Sequence, residues 1–180
     1  DSLAATLAPL ESIYLREPAD RPATILQAVQ FVAQLGLDRS TGRSDDRTPI
    51  ILWVDELTSL LGRSDVGDEL APVLELIAQE YRKVEVFLAA SGQIWTASRA
   101  TSELRDSMAS VLCHRMKRNQ ARLLLPNDEA RMVERLGPGQ AVLYRTNGAT
   151  ARVQIPLTQA QDVVRVAALL GLPRPLAGPV

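Results

Sequence analysis

The sequence predicts an α/β fold, with a mostly parallel sheet, helices on both faces and an antiparallel hairpin at its C-terminal end. Three observations predict it. Ile50-Ile51-Leu52-Trp53-Val54 is a continuous apolar run that ends in Asp55-Glu56, the pattern of a parallel strand covered on both faces. Segments with helical spacing alternate with further apolar runs. Asn147-Gly148 separates two extended runs, the strongest short-range hairpin signal.

Taken in order, Arg16 to Pro22 is a loop rich in proline and charge, and Ala23 to Leu35 has an apolar face of Ile25, Leu26, Val29, Val32, Ala33 and Leu35. Gly36 is placed to end that helix as a C-cap. Leu37 to Pro49 is polar and contains Ser-Thr-Gly-Arg-Ser-Asp-Asp, which predicts a flexible surface loop open to proteases. The Ile50–Val54 strand follows, then a turn of helix from Leu57 to Leu61 that stops at Gly62. A second amphipathic helix is expected from about Glu69 to Tyr81, with Pro72 in its first turn, where no amide hydrogen is needed. Lys83 to Ala90 reads as another buried strand, ending in Ser91-Gly92-Gln93. A helix from Thr101 to Ala109 precedes a third strand, Val111 to Met116. Short helices through Gln120–Leu125 and Asp128–Leu136 lead to the turn Gly137-Pro138-Gly139. The hairpin strands are Gln140–Arg145 and Ala151–Ile155, and Thr158 is placed to cap a last helix reaching Leu170. Domain limits are expected at 1–172, with a Pro/Gly-rich tail at 173–180.

Composition narrows the function classes. With 180 residues, 46% of them hydrophobic, the chain can bury one core. A net charge of −1 excludes a wholesale basic field, so any nucleic-acid contact must come from a local patch. The single cysteine, Cys113, excludes an internal disulfide framework and argues for a reducing, cytoplasmic compartment. No apolar run is long enough to span a bilayer, so no membrane contact by this segment is expected; a parent protein with an anchor elsewhere would sit at the cytoplasmic membrane face.

Ligands of parallel sheets bind beyond the carboxyl ends of the strands, where Asp55 and Glu56 stand. That placement suits a Walker B motif, in which the Asp helps to hold Mg²⁺ by the phosphates and a neighbouring residue positions the attacking water. The bland reading is a solvated acidic turn that caps the next helix. A Walker A loop needs Gly-x-x-x-x-Gly-Lys-Ser/Thr. The only lysines are Lys83 and Lys117, and neither follows a glycine. Because the chain opens on Asp1 without Met, it is expected to be a piece that starts after such a loop rather than a degenerate relative.

The outline is RecA-like, and the order of features goes further. The chain resembles the later part of an FtsK/SpoIIIE-type DNA translocase motor, within the FtsK–HerA group of ring ATPases. Ile50 to Leu61 is similar to that family's Walker B strand and the turn after it. Phe87-Leu88-Ala89-Ala90-Ser91-Gly92-Gln93 resembles the next strand, which ends there in Ala-Thr-Gln. Ser107 to Leu125 resembles a strand followed by a basic stretch, and Leu136 to Tyr144 resembles the closing Leu-Gly-x-Gly-Asp-Met-Leu-Tyr hairpin. Val153 to Pro156 and the helix after Thr158 match the family's ending, so the likeness runs from about residue 22 to 170. There are departures: Ala-Thr-Gln becomes Ala-Ser-Gly-Gln, Gly-Asp becomes Gly139-Gln140, and the basic stretch aligns only with a shift.

The resemblance implies an ATPase that uses ATP and Mg²⁺ to pull double-stranded DNA through a homo-oligomeric, hexameric ring. It gives Asp55 the role of holding Mg²⁺ through water and Glu56 that of polarising the attacking water. Gln93 or Ser91 would face the γ-phosphate, and which of them does so stays open. Arg115 is the candidate arginine finger. Lys117, Arg118 and Arg122 are candidates for contact with DNA or a neighbouring subunit; a solvated basic face is the plain alternative. His114 beside Cys113 is expected to be structural, since zinc needs about four ligands. Trp53 and Trp95 are expected in the core. Without phosphate-loop residues, the isolated chain is expected to hydrolyse ATP poorly. Two rival readings remain: a non-catalytic α/β scaffold, and a secretion ATPase of the conjugative-coupling type.

Overall fold

The computed structural model describes residues 22–96 and 100–171. The expected loop from Arg16, the opening residues and the tail from 173 lie outside them. Chain contacts divide the molecule into a unit spanning Arg21–Gln154 and a second unit whose described part begins at Ile155.

In the first unit, helix α1 (Pro22–Ser40) packs on helix α3 (Gly67–Glu80). Leu70, Leu74 and Ile77 fall on one face of α3 at helical spacing and are fully buried. They join Val29, Leu57, Tyr81 and Val86 in the larger of two apolar clusters. Two parallel strands, β1 (Ile50–Val54) and β2 (Val86–Ala90), pair from Ile50↔Val86 to Val54↔Ala90. The one-turn helix α2 (Leu57–Leu61) follows β1 directly.

A smaller cluster is built on Cys113, Ala121, Leu125, Ala130, Val133, Leu136 and Val142. After the short helix α4 (Ser102–Asp106), strand β3 (Ser110–His114) pairs antiparallel with β4 (Gln140–Arg145), and β4 with β5 (Thr150–Gln154). Helices α5 (Arg118–Ala121) and α6 (Asn127–Val133) supply Ala121, Ala130 and Val133, and Leu125 and Leu136 come from the turns after them. Leu124 packs against both clusters. The hairpin turn is as expected: Gly148 has φ 84° and its amide bonds to the Arg145 carbonyl at 2.9 Å. In the second unit, helix α7 (Ala160–Leu169) buries Val163 and Ala167.

The fold class is the one the sequence predicts, an α/β chain with parallel and antiparallel strands. Several local expectations are corrected. The β1 strand is not covered on both faces: Ile51 and Trp53 are 65% and 67% exposed, while the alternate residues Ile50, Leu52 and Val54 pack on the larger cluster. Trp53 is therefore outside the core, whereas Trp95, 8% exposed, is inside it. The apolar run misled because alternation is invisible when both faces carry apolar residues. Strand β3 pairs with the hairpin and not with β1 or β2.

Gly36 does not end its helix, which continues to Ser40. A Cβ at Gly36 would lie 2.2 Å from Tyr81 Cδ2, so glycine is there to admit the ring. The expected flexible loop is anchored by Arg39, 3% exposed, whose guanidinium donates to the Thr48 carbonyl at 2.9 Å and the Val84 carbonyl at 3.1 Å. It also pairs with Asp46 at 3.1 Å. The Thr48 amide, with help from Arg39, holds the Asp46 carboxyl below the usual carboxylate range. Pro72 lies in the second turn of α3, not the first, because the helix begins two residues earlier than expected, at Gly67. Thr158 does not cap the last helix; Gln159 does, with its amide donating to Asp162 Oδ2 at 2.9 Å.

Candidate functional site

Parallel pairing sets the register of the acidic edge. Val54 stands opposite Ala90, so the next residues, Asp55 and Ser91, leave the sheet side by side. The Ser91 amide donates to the Val54 carbonyl at 3.0 Å, and the Leu57 amide returns to the Ser91 carbonyl at 2.8 Å. Side chains then add a second layer. Ser91 Oγ donates to Asp55 Oδ1 and accepts from the Glu56 amide at 3.1 Å. Gln93 Nε2 donates to Glu56 Oε1 at 2.7 Å.

Glu56 adopts a left-handed conformation, φ 52° and ψ 37°, at the start of α2. A non-glycine residue there costs of order 1–3 kcal/mol and persists only where surroundings hold it. The Ser91 and Gln93 bonds are those surroundings. They turn the chain sharply enough to place both carboxylates, which are exposed, beyond the strand ends.

Gly92 permits the approach. A Cβ on it would lie 2.9 Å from both Cγ2 and Oγ1 of the buried Thr58 on α2. Its carbonyl accepts from Trp95 Nε1 at 3.0 Å, which ties the loop to the core. Sequence reading missed this role of Gly92 and the twist at Glu56. A glycine between two functional polar residues was the available signal for the first; the second had none.

Asp55, Glu56, Ser91 and Gln93 thus form one constellation. Arg115, exposed just past β3, makes no hydrogen bond or ion pair with it among the described residues. Lys117, Arg118 and Arg122 instead line a separate cleft of about 370 Å³ with Asn119 and Glu134. There the Arg118 amide donates to Glu134 Oε1 at 2.9 Å, while the buried Arg118 Nε has no partner. Glu134 is a second residue the sequence did not reveal.

The donor set at the acidic edge fits a hard cation. Mg²⁺ takes oxygen ligands, typically one or two carboxylates plus phosphates and waters. Asp55 offers a carboxylate whose Oδ1 is steadied by Ser91. Among the described residues no group of three or more His, Cys, Asp or Glu side chains could hold a metal on its own. His114 is exposed and Cys113 buried, so the two do not face one site.

No family model matches the chain, and no curated protein matches it. Solved structures do. The pCW3 conjugation coupling protein TcpA, in its monomer form with ATPγS, superposes with a TM-score of 0.61 at 16% identity, over 81% of this chain and 49% of that one. The cytoplasmic domain of the Thermomonospora curvata type VII secretion ATPase EccC gives 0.53 at 15% identity, over 99% of this chain and 22% of that one. The genome packaging NTPase B204 of Sulfolobus turreted icosahedral virus 2, with AMPPCP, gives 0.51 at 14% identity, over 72% and 62%. The fold of this chain is the one shared with this coupling protein, this secretion ATPase and this packaging NTPase. The chain spans less than two thirds of each. No described helix is long and apolar enough to cross a membrane.

Proposed function

We propose that this chain is part of an ATP-driven motor of the FtsK/HerA type that moves double-stranded DNA, working as a homo-oligomeric and hexameric ring. The observation that carries the reading is the paired edge, Asp55 with Ser91 and Glu56 with Gln93, beyond the carboxyl ends of two parallel strands. Nucleotide-bound neighbours with the same fold support it.

In this reading Asp55 would hold Mg²⁺ through a water, and the ion would supply charge neutralisation at the phosphates. Glu56 accepts a hydrogen bond from the water aligned for attack on the γ-phosphate. Gln93, whose side-chain amide donates to Glu56 Oε1, would sense the γ-phosphate from beside that carboxylate. Ser91 keeps the Asp55 carboxylate aimed and props the Glu56 amide. Arg115 would act on a neighbouring subunit's nucleotide, since it meets none of these residues within its own chain. The Lys117, Arg118 and Arg122 cleft would contact DNA or that neighbour.

The fold shared with TcpA favours a second reading, a coupling ATPase of conjugative or type IV secretion. The test is ATP turnover by the natural protein containing this chain, with and without duplex DNA, beside its Glu56→Gln and Gln93→Ala variants. DNA-stimulated turnover lost in Glu56→Gln supports the translocase. Turnover that needs Glu56 but ignores naked duplex favours the coupling reading. No turnover above background in the wild type or in Glu56→Gln rejects both and leaves a non-catalytic scaffold.

A further inference from the structure

A second cleft, of about 260 Å³, is lined by Arg131, Met132, Arg135, Leu136 and Arg152, and shares no residue with the acidic edge. Its arginines come from two elements. Arg131 is on α6, and Arg135 lies one turn on, where the Arg135 amide still bonds to the Met132 carbonyl at 3.2 Å. Residues four apart on such a turn share a face. Arg152 is on β5, opposite Val142, which itself stands opposite Cys113. Directly paired residues share a sheet face. That face is apolar at Cys113 and Val142 and becomes cationic at the outermost strand.

The three guanidinium groups are poorly neutralised. Arg131 reaches Asp128 at 3.6 Å, but Asp128 is 92% exposed, so the pair is weak. Arg152 donates to Gln140 Oε1, a neutral amide that also accepts from the Gly137 amide at 2.8 Å. Arg135 has no carboxylate partner among the described residues. The nearby acids are turned elsewhere: Glu129 accepts from the Thr150 hydroxyl at 3.3 Å and Glu134 from the Arg118 amide. Convergent like charges repel, and a planar guanidinium matches phosphate oxygens two at a time.

We propose that the Arg131–Arg135–Arg152 cleft is a phosphate-binding site separate from the nucleotide edge. Met132 and Leu136 give it an apolar floor. Arg131 and Arg135 clamp the oxyanion from the α6 side, and Arg152 closes the β5 side. The phosphate belongs either to a free polyphosphate or to the backbone of a nucleic acid. The proposal does not depend on ATP hydrolysis.

The test measures tripolyphosphate binding by calorimetry and binding of a random-sequence duplex by fluorescence anisotropy, both at low salt. The variants are Arg131→Gln/Arg135→Gln, on exposed positions that leave the sheet untouched, and Gln140→Glu. The glutamate keeps both acceptor contacts but supplies an internal carboxylate to Arg152. Arg43→Gln/Arg47→Gln, in a distant stretch of sequence, is the charge-matched control. The double arginine variant is expected to bind at least one probe about tenfold more weakly, with Gln140→Glu following in the same direction and the control unchanged. If tripolyphosphate alone is affected, the ligand is a free polyphosphate; if the duplex is affected, it is a nucleic-acid backbone. The proposal fails if the wild type binds neither probe, if the double variant binds both as the wild type does, or if the control loses as much.

Discussion

At the acidic edge every candidate acid already has a side-chain partner, and the backbone at Glu56 is bent into a sparsely populated conformation to arrange it. At the arginine-lined clefts around α5 and α6, guanidinium groups converge with few counter-charges, and Arg118 Nε is buried without a partner. The first region is internally satisfied and stores its cost in backbone strain. The second leaves charge uncompensated. A site that must position a water and an ion benefits from fixed donors. A surface that only has to attract an anion can leave its charges open, with affinity that falls as salt rises. The difference also follows the cores beneath: large aliphatic side chains under the edge, smaller ones under the clefts.

The largest expected effect breaks the comparison at its foundation. Leu70→Ala, at a fully buried position of the larger cluster, should cost about 3 kcal/mol by chemical denaturation. Val133→Ala in the smaller cluster should cost about 2 kcal/mol. Among the described residues only Leu124 packs on both, so the double variant should show additivity within about 0.5 kcal/mol; a larger coupling would mean that the two regions share one core.

Gly92→Ala probes the tightness of the edge alone. Its Cβ would press on the buried Thr58, and overpacking of that kind costs about 1–3 kcal/mol. Stability should fall while the phosphate affinity of the arginine cleft stays as it is. Glu56→Gly separates strain from function. Removing the left-handed penalty should raise stability by about 1 kcal/mol even as any Glu56-dependent turnover disappears. A destabilised glycine variant would show that the Gln93 bond outweighs the strain.

The smallest effect near neutral pH concerns the smaller core, because it develops only in the alkaline range. Burial pushes the Cys113 thiol up to about 11. An unfolded thiol ionises at about 8.5. Between those values the unfolded chain releases a proton that the folded chain keeps, so stability should fall as pH rises through that window and level off above it. Cys113→Ala should lose this slope, as measured by denaturation midpoints across the alkaline range.

Much of this was legible in the sequence. Element types and the hairpin follow from apolar runs, Asn147-Gly148 and Gly137-Pro138-Gly139, and the acidic edge from two carboxylates closing the apolar run at Val54. What the sequence hid depends on contacts between distant residues. Gly36 looks like a helix end until Tyr81 occupies its missing side chain, and the polar stretch from Leu37 looks free until Arg39 ties it to Val84. The pairing of Ser91 and Gln93 with successive acids needs the β1–β2 register, which no local pattern states. The arginine cleft was hidden because Arg152 joins Arg131 and Arg135 only through the hairpin.

The outward face of β1 has a practical consequence. Trp53 stands in solvent there while Trp95 is enclosed, and the chain has no other tryptophan. Their emission should therefore divide into an iodide-quenchable, red component and a shielded, blue one. Whatever settles over Ile51 and Trp53 would shift only the first, so the protein carries its own optical gauge of whether that side of the strand is occupied.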